Sequence, residues 1–141
     1  MDVGVAMLSG VLAYRTSSMP EPYVGLGAGL AHVAARRAVS HQTNPSGPVE
    51  RTPDTGKVVN HFNSQDRASD TVWAWQAKAG LIMPLGPHLS AFVEYRWVHV
   101  GATSFTFGGT RYPGHAPTDA WRVARHAMTT QSGLAGLRYV L

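Results

Sequence analysis

The stretch Trp73-Ala74-Trp75-Gln76-Ala77-Lys78-Ala79-Gly80-Leu81-Ile82-Met83 decides the fold, because it alternates. Its odd positions, Trp73, Trp75, Ala77, Ala79, Leu81 and Met83, are apolar, whereas the even ones include Gln76, Lys78 and Gly80. A period of two places these sets on opposite faces of an extended strand. Pro84-Leu85-Gly86-Pro87-His88 follows, a compact turn built on two prolines and a glycine. The pattern then resumes: Leu89, Ala91, Val93, Tyr95 and Trp97 oppose Ser90, Phe92, Glu94 and Arg96, with Phe92 the one exception. The two segments read as an antiparallel hairpin with one greasy and one polar face.

Three more segments read as strands on either side of it, giving five at about 3–14, 23–33, 71–83, 89–100 and 126–141. In the second, Val24, Leu26, Ala28 and Leu30 oppose Gly25, Gly27, Gly29 and Ala31; in the last, Leu137, Tyr139 and Leu141 oppose Gly136 and Arg138. The first mixes Val3, Val5, Met7 and Val11 with Gly4, Leu8, Gly10 and Leu12, so its polarity is ambiguous. Connections alternate short (15–22), long (34–70), short (84–88) and long (101–125), with turn signals at Asn44-Pro45-Ser46-Gly47 and Pro53-Asp54-Thr55-Gly56. Two long loops in so small a domain are unusual in a water-soluble fold. Short turns on one side and long loops on the other are the habit of outer-membrane barrels, whose strands need about 9–11 residues to cross. The charges agree with that habit. Within the strands only Lys78, Glu94, Arg96 and Arg138 are ionised, apart from Asp2 at the chain start, and all four lie on the face opposite the Trp, Tyr and Leu residues.

Several fragments, in order, resemble one family. Pro22-Tyr23-Val24-Gly25-Leu26-Gly27-Ala28-Gly29-Leu30-Ala31, Trp75-Gln76-Ala77-Lys78-Ala79-Gly80-Leu81, Leu89-Ser90-Ala91-Phe92-Val93-Glu94-Tyr95-Arg96-Trp97 and Ser132-Gly133-Leu134-Ala135-Gly136-Leu137-Arg138-Tyr139 are similar to strands of small outer-membrane β-barrel proteins. That family includes the OmpA-like transmembrane domain, opacity-type porins and surface antigens. The resemblance implies an all-β fold, a transmembrane up-and-down antiparallel β-barrel of the eight-stranded type, in the bacterial outer membrane. It makes residues 1–141 a partial barrel domain of about five strands, with three strands and a signal peptide missing upstream. The family's last strand ends in an aromatic residue read by the barrel-assembly machinery, where this chain ends in Val140-Leu141.

The implied function is non-catalytic: a porin-like or structural surface protein whose partners are outer-membrane lipid, the assembly machinery through its C-terminal strand, and a host or surface ligand met by loops 34–70 and 101–125. Lys78, Glu94, Arg96 and Arg138 are then expected to form a lumen charge network, because a basic side chain on the lipid face costs about 2–4 kcal/mol at mid-membrane. Trp73, Trp75, Tyr95, Trp97 and Tyr139 are expected to form membrane-interface girdles, and Trp121 to cover the barrel mouth from a loop. The inward glycines are expected to keep a narrow lumen clear.

Composition narrows the alternatives. The 141 residues are 44% hydrophobic and 14% charged, too apolar for a disordered chain. Absence of cysteine rules out disulfides and thiol chemistry, and no apolar run is long enough for a spanning helix. The segment 3–13 has the length of a leader core but follows Asp2 and lacks a basic flank or small-residue cleavage motif. The net charge of +4 lies mostly in the connections, so no nucleic-acid partner is expected. No cofactor is expected either: Gly25-Leu26-Gly27-Ala28-Gly29-Leu30 lacks the third glycine of a dinucleotide fingerprint. Nor is a metal, since His32, His41, His61, His88, His99, His115 and His126 form no zinc-ligand spacing and read as scattered. Two other functions compete. A lipid-modifying barrel enzyme would need a Ser–His pair, but His126 and Ser132 lie about 20 Å apart along a strand. A soluble ligand-binding β-barrel would need the reverse polarity, greasy inside and polar outside.

Overall fold

The computed structural model describes residues 1–14, 20–42 and 49–139. The turn through Arg15 to Met19, the Asn44-Pro45-Ser46-Gly47 turn and the terminal Val140-Leu141 pair lie outside the described residues. The fold is all-β, with antiparallel sheets. Seven strands form: β1 (Asp2–Ala13), β2 (Glu21–Ala35), β3 (Ala68–Pro84), β4 (Leu89–Val100), β5 (Thr103–Phe107), β6 (Trp121–Arg125) and β7 (Met128–Tyr139). Five of them make one sheet in the order β1-β2-β3-β4-β7, an up-and-down meander, and β5 and β6 make a separate two-stranded sheet. The larger sheet is open, with β1 and β7 as its edges. Among the described residues no helix is long and apolar enough to cross a membrane, which says nothing about crossing by strands.

Contacts divide the chain into two compact units. One comprises 1–4, 32–71 and 102–126, and the other 5–31, 72–101 and 127–141.

In the second unit the alternation of the sequence becomes two unlike faces. Leu85 and Gly86 donate backbone bonds to Leu89 O at 2.8 and 3.1 Å, closing the Pro-Gly-Pro turn and fixing the β3–β4 register. That register pairs Trp75 with His99, Ala77 with Trp97, Ala79 with Tyr95 and Leu81 with Val93 on one face. On the other it pairs Gln76 with Val98, Lys78 with Arg96 and Gly80 with Glu94. Pairing of β4 with β7 continues both rows, setting Leu137 and Ala135 beside Ala91 and Val93, and Arg138 and Gly136 beside Ser90 and Phe92. The first face is apolar yet exposed: Leu26 is 70% accessible, Trp73 73% and Leu137 68%. On the opposite face Glu94 and Gln76 are buried, at 7% and 8%. This is the inverse of a water-soluble sheet, where large exposed apolar patches are rare.

β1, ambiguous in sequence, is settled by its neighbours. Gln76 donates to Ser9 Oγ at 2.7 Å, so Ser9 and Val11 share the polar face, while Leu8 and Leu12 are exposed on the other. Neighbouring side chains fill the room left by glycines on the polar face. A Cβ at Gly25 would stand 2.8 Å from Lys78 Cε, and one at Gly80 2.5 Å from the Tyr23 ring. Phe92, the exception to the alternation, lies over Gly136, where a Cβ would come within 3.0 Å of its ring.

The first unit has a core of its own, and β5 and β6 correct the reading of residues 101–125 as a loop. Phe105 and Phe107 alternate with Ser104 and Thr106 along β5, and Phe107 stacks on Phe62 at 4.6 Å. Val33, Val59 and Phe62 are buried with them. Trp121 is not a loop residue but opens β6, opposite Phe107. The segment at 126–127 is irregular, so His126 precedes β7 rather than belonging to it. The turn at Pro53-Asp54-Thr55-Gly56 forms as its residues dictate: Gly56 adopts φ of 63°, which glycine tolerates without a Cβ clash, and donates to Thr52 O at 3.0 Å.

Candidate functional site

Glu94 organises the polar face of the larger sheet. Tyr23 reaches across from β2 and donates its hydroxyl to Glu94 Oε2 at 2.8 Å, a path open only because Gly80 on the intervening strand has no side chain. Arg96, two residues along the same strand, grips Glu94 Oε1 through Nη2 at 2.6 Å and Nε at 3.0 Å. Lys78 Nζ stands 3.8 Å from Oε2, its stem lying over Gly25. Lys78 and Arg96 are directly opposite in the register, so the carboxylate relieves a like-charge pair that would otherwise be destabilising.

Of the four charges singled out in the sequence, these three are joined. Arg138 lines the same cavity, about 310 Å³, with Val11, Ile82 and Phe92, but makes no ion pair among the described residues. Lys78 and Arg138 against the single carboxylate of Glu94 leave the cavity lining with an excess of positive charge. Tyr23 was not singled out, although its place in the Gly25-Gly27-Gly29 phase put it on this face. Gln76 likewise follows from Lys78, two positions on.

The five aromatics expected at the interface all stand on the opposite face, but not all near strand ends. Trp75 and Trp97 meet at 4.2 Å between ring centroids, and His99 stacks on Trp97 at 5.8 Å and bonds Thr129 Oγ1 at 3.2 Å. Trp73 is one pleat further along β3. Tyr139 lies at the other end of the sheet, opposite Leu89 and near His88. Tyr95 is the departure: it stands in mid-strand between Ala79 and Gly133, small neighbours that leave room for its ring.

A second cluster lies in the first unit and was missed. His61 and His115 are not scattered: both reach Glu50. His115 Nε2 lies 2.8 Å from Glu50 Oε1, and His61 Nε2 3.3 Å from Oε2. His61 Nδ1 meets Thr110 Oγ1 at 2.9 Å, and Thr118 Oγ1 donates to Thr110 Oγ1 at 3.0 Å while accepting from Thr110 N at 2.9 Å and Trp121 Nε1 at 3.3 Å. Thr110 is fully buried and His61 nearly so. Each histidine sits edge-on to the other at 6.1 Å, and Trp121 to His61 at 5.9 Å. The glutamate pulls the His115 imidazole above its ordinary pKa, by hydrogen bonding first and then with help from the Ala116 carbonyl. The Thr110 hydroxyl is sealed from solvent. Among the described residues no group of three or more His, Asp or Glu is arranged to hold a metal ion. Residues 61 and 115 share no periodicity with residue 50, so only the fold reveals the cluster.

No protein-family model matches the chain, and neither a curated protein nor a solved structure is similar to it.

Proposed function

We propose that this chain is part of a small outer-membrane β-barrel of the eight-stranded type, acting as a non-catalytic, porin-like or structural surface protein. The observation that carries the reading is the inverted sheet: its exposed face is a continuous field of Val24, Leu26, Leu30, Trp75, Leu81, Val93 and Leu137, while Glu94 and Gln76 are buried on the other. Water disfavours such a surface, at about 25 cal/mol per Å² of apolar area, and acyl chains do not. The five strands of the sheet, 12 to 17 residues each, exceed the length needed to cross a bilayer. The two free edges of β1 and β7 then require partners, because unpaired backbone groups in hydrocarbon cost several kcal/mol each. Three further strands between them complete the eight. Trp73, Trp75 and Trp97 at one end and Tyr139 at the other take the interfacial positions, with outer-membrane lipid as the partner of this face.

In that enclosure the Lys78–Glu94–Arg96 network lies in the interior, and the surplus positive charge at Arg138 favours small anions over cations in any residual passage. The test is reconstitution with phospholipid vesicles. Because β1 and β7 leave both edges of these five strands unpaired, the reading expects the chain to bind the vesicles through its apolar face with the 71–100 hairpin protected, but not to form a heat-modifiable, fully protease-resistant monomer on its own. Chain that stays in the aqueous phase, fully cleaved by protease at 71–100, would reject it.

A further inference from the structure

The Glu50 cluster has a protonation state written into its geometry. His115 Nε2 faces a carboxylate oxygen at 2.8 Å and His115 Nδ1 faces the Ala116 carbonyl at 2.6 Å. Both are acceptors without a hydrogen to give, so both ring nitrogens must donate, and only the imidazolium has two N–H groups. His61 differs: its Nδ1 lies 2.9 Å from Thr110 Oγ1, whose hydrogen is directed to the His61 carbonyl at 3.5 Å, and its buried Nε2 approaches Glu50 Oε2 at 3.3 Å without forming a hydrogen bond.

The His115–Glu50 contact therefore depends on a proton, and it joins segments distant in sequence. His115 lies in the connection between β5 and β6, and Glu50 precedes the Arg51–Val58 bridge, with Val59 N donating back to Glu50 O at 2.9 Å. We propose that His115 and Glu50 form a proton-operated latch: with His115 protonated, the β5–β6 connection is clamped to the 49–62 segment, and loss of that proton releases it.

The groups that face the latch are few. Glu50 and His61 come from the opposing segment, and Asp54 from the neighbouring turn, its Oδ1 4.0 Å from where a Cβ of Gly114 would stand. Tyr112, on the same connection as His115, accepts from Asn60 N at 3.1 Å, and Arg111 is spent on the Thr110 and Thr118 carbonyls. Residues 43–48, Thr-Asn-Pro-Ser-Gly-Pro, bring no titratable side chain. The His115 side chain is only 14% accessible, so water does not replace the lost partner freely.

The direction is fixed by the sign of the His115 shift. Its folded pKa is raised above the ordinary histidine value, so the clamp's contribution is complete below about pH 6.5 and lost as pH rises through the raised value. The latch does not depend on what the larger sheet faces, so its failure leaves the membrane reading untouched, and the reverse holds.

The experiment is nitrogen NMR of the histidine rings in the ¹⁵N-labelled full chain, in detergent micelles, from pH 5 to 9, with amide hydrogen exchange on the same samples. His115, assigned by the signal lost in His115→Gln, is expected to carry protons on both nitrogens below about pH 6.5 and to titrate above that value. Protection of the Val59 and Thr118 amides, corrected for intrinsic exchange, is expected to fall at least about tenfold across that midpoint. Glu50→Gln is expected to lower the midpoint toward the free-histidine value. A neutral His115 at pH 6.5 in the wild-type chain, or unchanged protection of both amides through its titration, overturns the latch even where a variant does not fold.

Discussion

Replacing Glu94 by alanine is the perturbation whose cost the structure fixes best. The substitution removes a carboxylate that is 7% exposed and leaves three partners behind: the Tyr23 hydroxyl, the Arg96 guanidinium and the Lys78 ammonium. At an effective dielectric of about 20, each ion pair is worth roughly 4 kcal/mol before desolvation, which cancels most of it. Removing one member of a buried pair nonetheless costs about 3–5 kcal/mol, because the stranded charge stays desolvated. Arg96 is 36% accessible and can turn toward solvent, which places the expectation near the lower end, about 3 kcal/mol. Lys78, at 18%, has less freedom and then faces Arg96 directly across the β3–β4 pair. Hence Lys78→Met, harmful alone, should recover about 1 kcal/mol when added to Glu94→Ala. The assay is equilibrium urea unfolding of the full chain in detergent micelles, followed by tryptophan fluorescence, with Ser90→Ala as the control on the same face. A Glu94→Ala cost under about 1 kcal/mol, or a double variant whose changes simply add, would refute the argument that this carboxylate holds the inner face together.

Other outcomes follow from particular contacts. Gly80→Val should lower stability by about 1–3 kcal/mol in the same assay, since its side chain must displace the Tyr23 ring, whereas Gly133→Ala, with nothing within 4 Å, should not destabilise. Tyr23→Phe should cost about 1.5–3 kcal/mol, the worth of a hydrogen bond to a charged acceptor, and a smaller loss would mean the hydroxyl is solvated instead. Phe62→Ala should remove the stack on Phe107 and cost about 3–5 kcal/mol locally, read as faster amide exchange at Val59 and His61 with β3 and β4 unchanged. Leu26→Arg should lower stability in bilayers by about 2–4 kcal/mol if the greasy face meets acyl chains, and by no more than about 0.5 kcal/mol if it meets water.

How much of this could be read beforehand differs by element. β4 was legible to the residue and β3 to within three, because alternation over eleven positions and a Pro-Gly-Pro turn leave little choice of register. The sequence of β1 could not reveal its polarity, since Ser9 is its only polar inward residue and a single hydroxyl does not set a phase. The β5–β6 hairpin was overlooked although Phe105 and Phe107 alternate with Ser104 and Thr106; five-residue strands separated by a connection with two prolines carry too short a signal. Lys78, Glu94 and Arg96 could be grouped from period two alone, but Tyr23 joins them only through a gap at Gly80, which is a property of three adjacent strands. The Glu50 cluster had no signal, as its members come from segments far apart in the chain without periodicity.

The central claim is that the face bearing Leu26 lies against acyl chains and the face bearing Gly25 does not. Because the chain has no cysteine, single cysteines can be placed at 24, 26, 28 and 30 on the first face and at 130, 132 and 134 on the second, spin-labelled, and their collision rates with oxygen and with a water-soluble nickel chelate compared in lipid vesicles. The account predicts labels of the first set open to oxygen and closed to the chelate and those of the second shielded from oxygen. Equal access of the chelate to both sets, or its preference for the first, would contradict it.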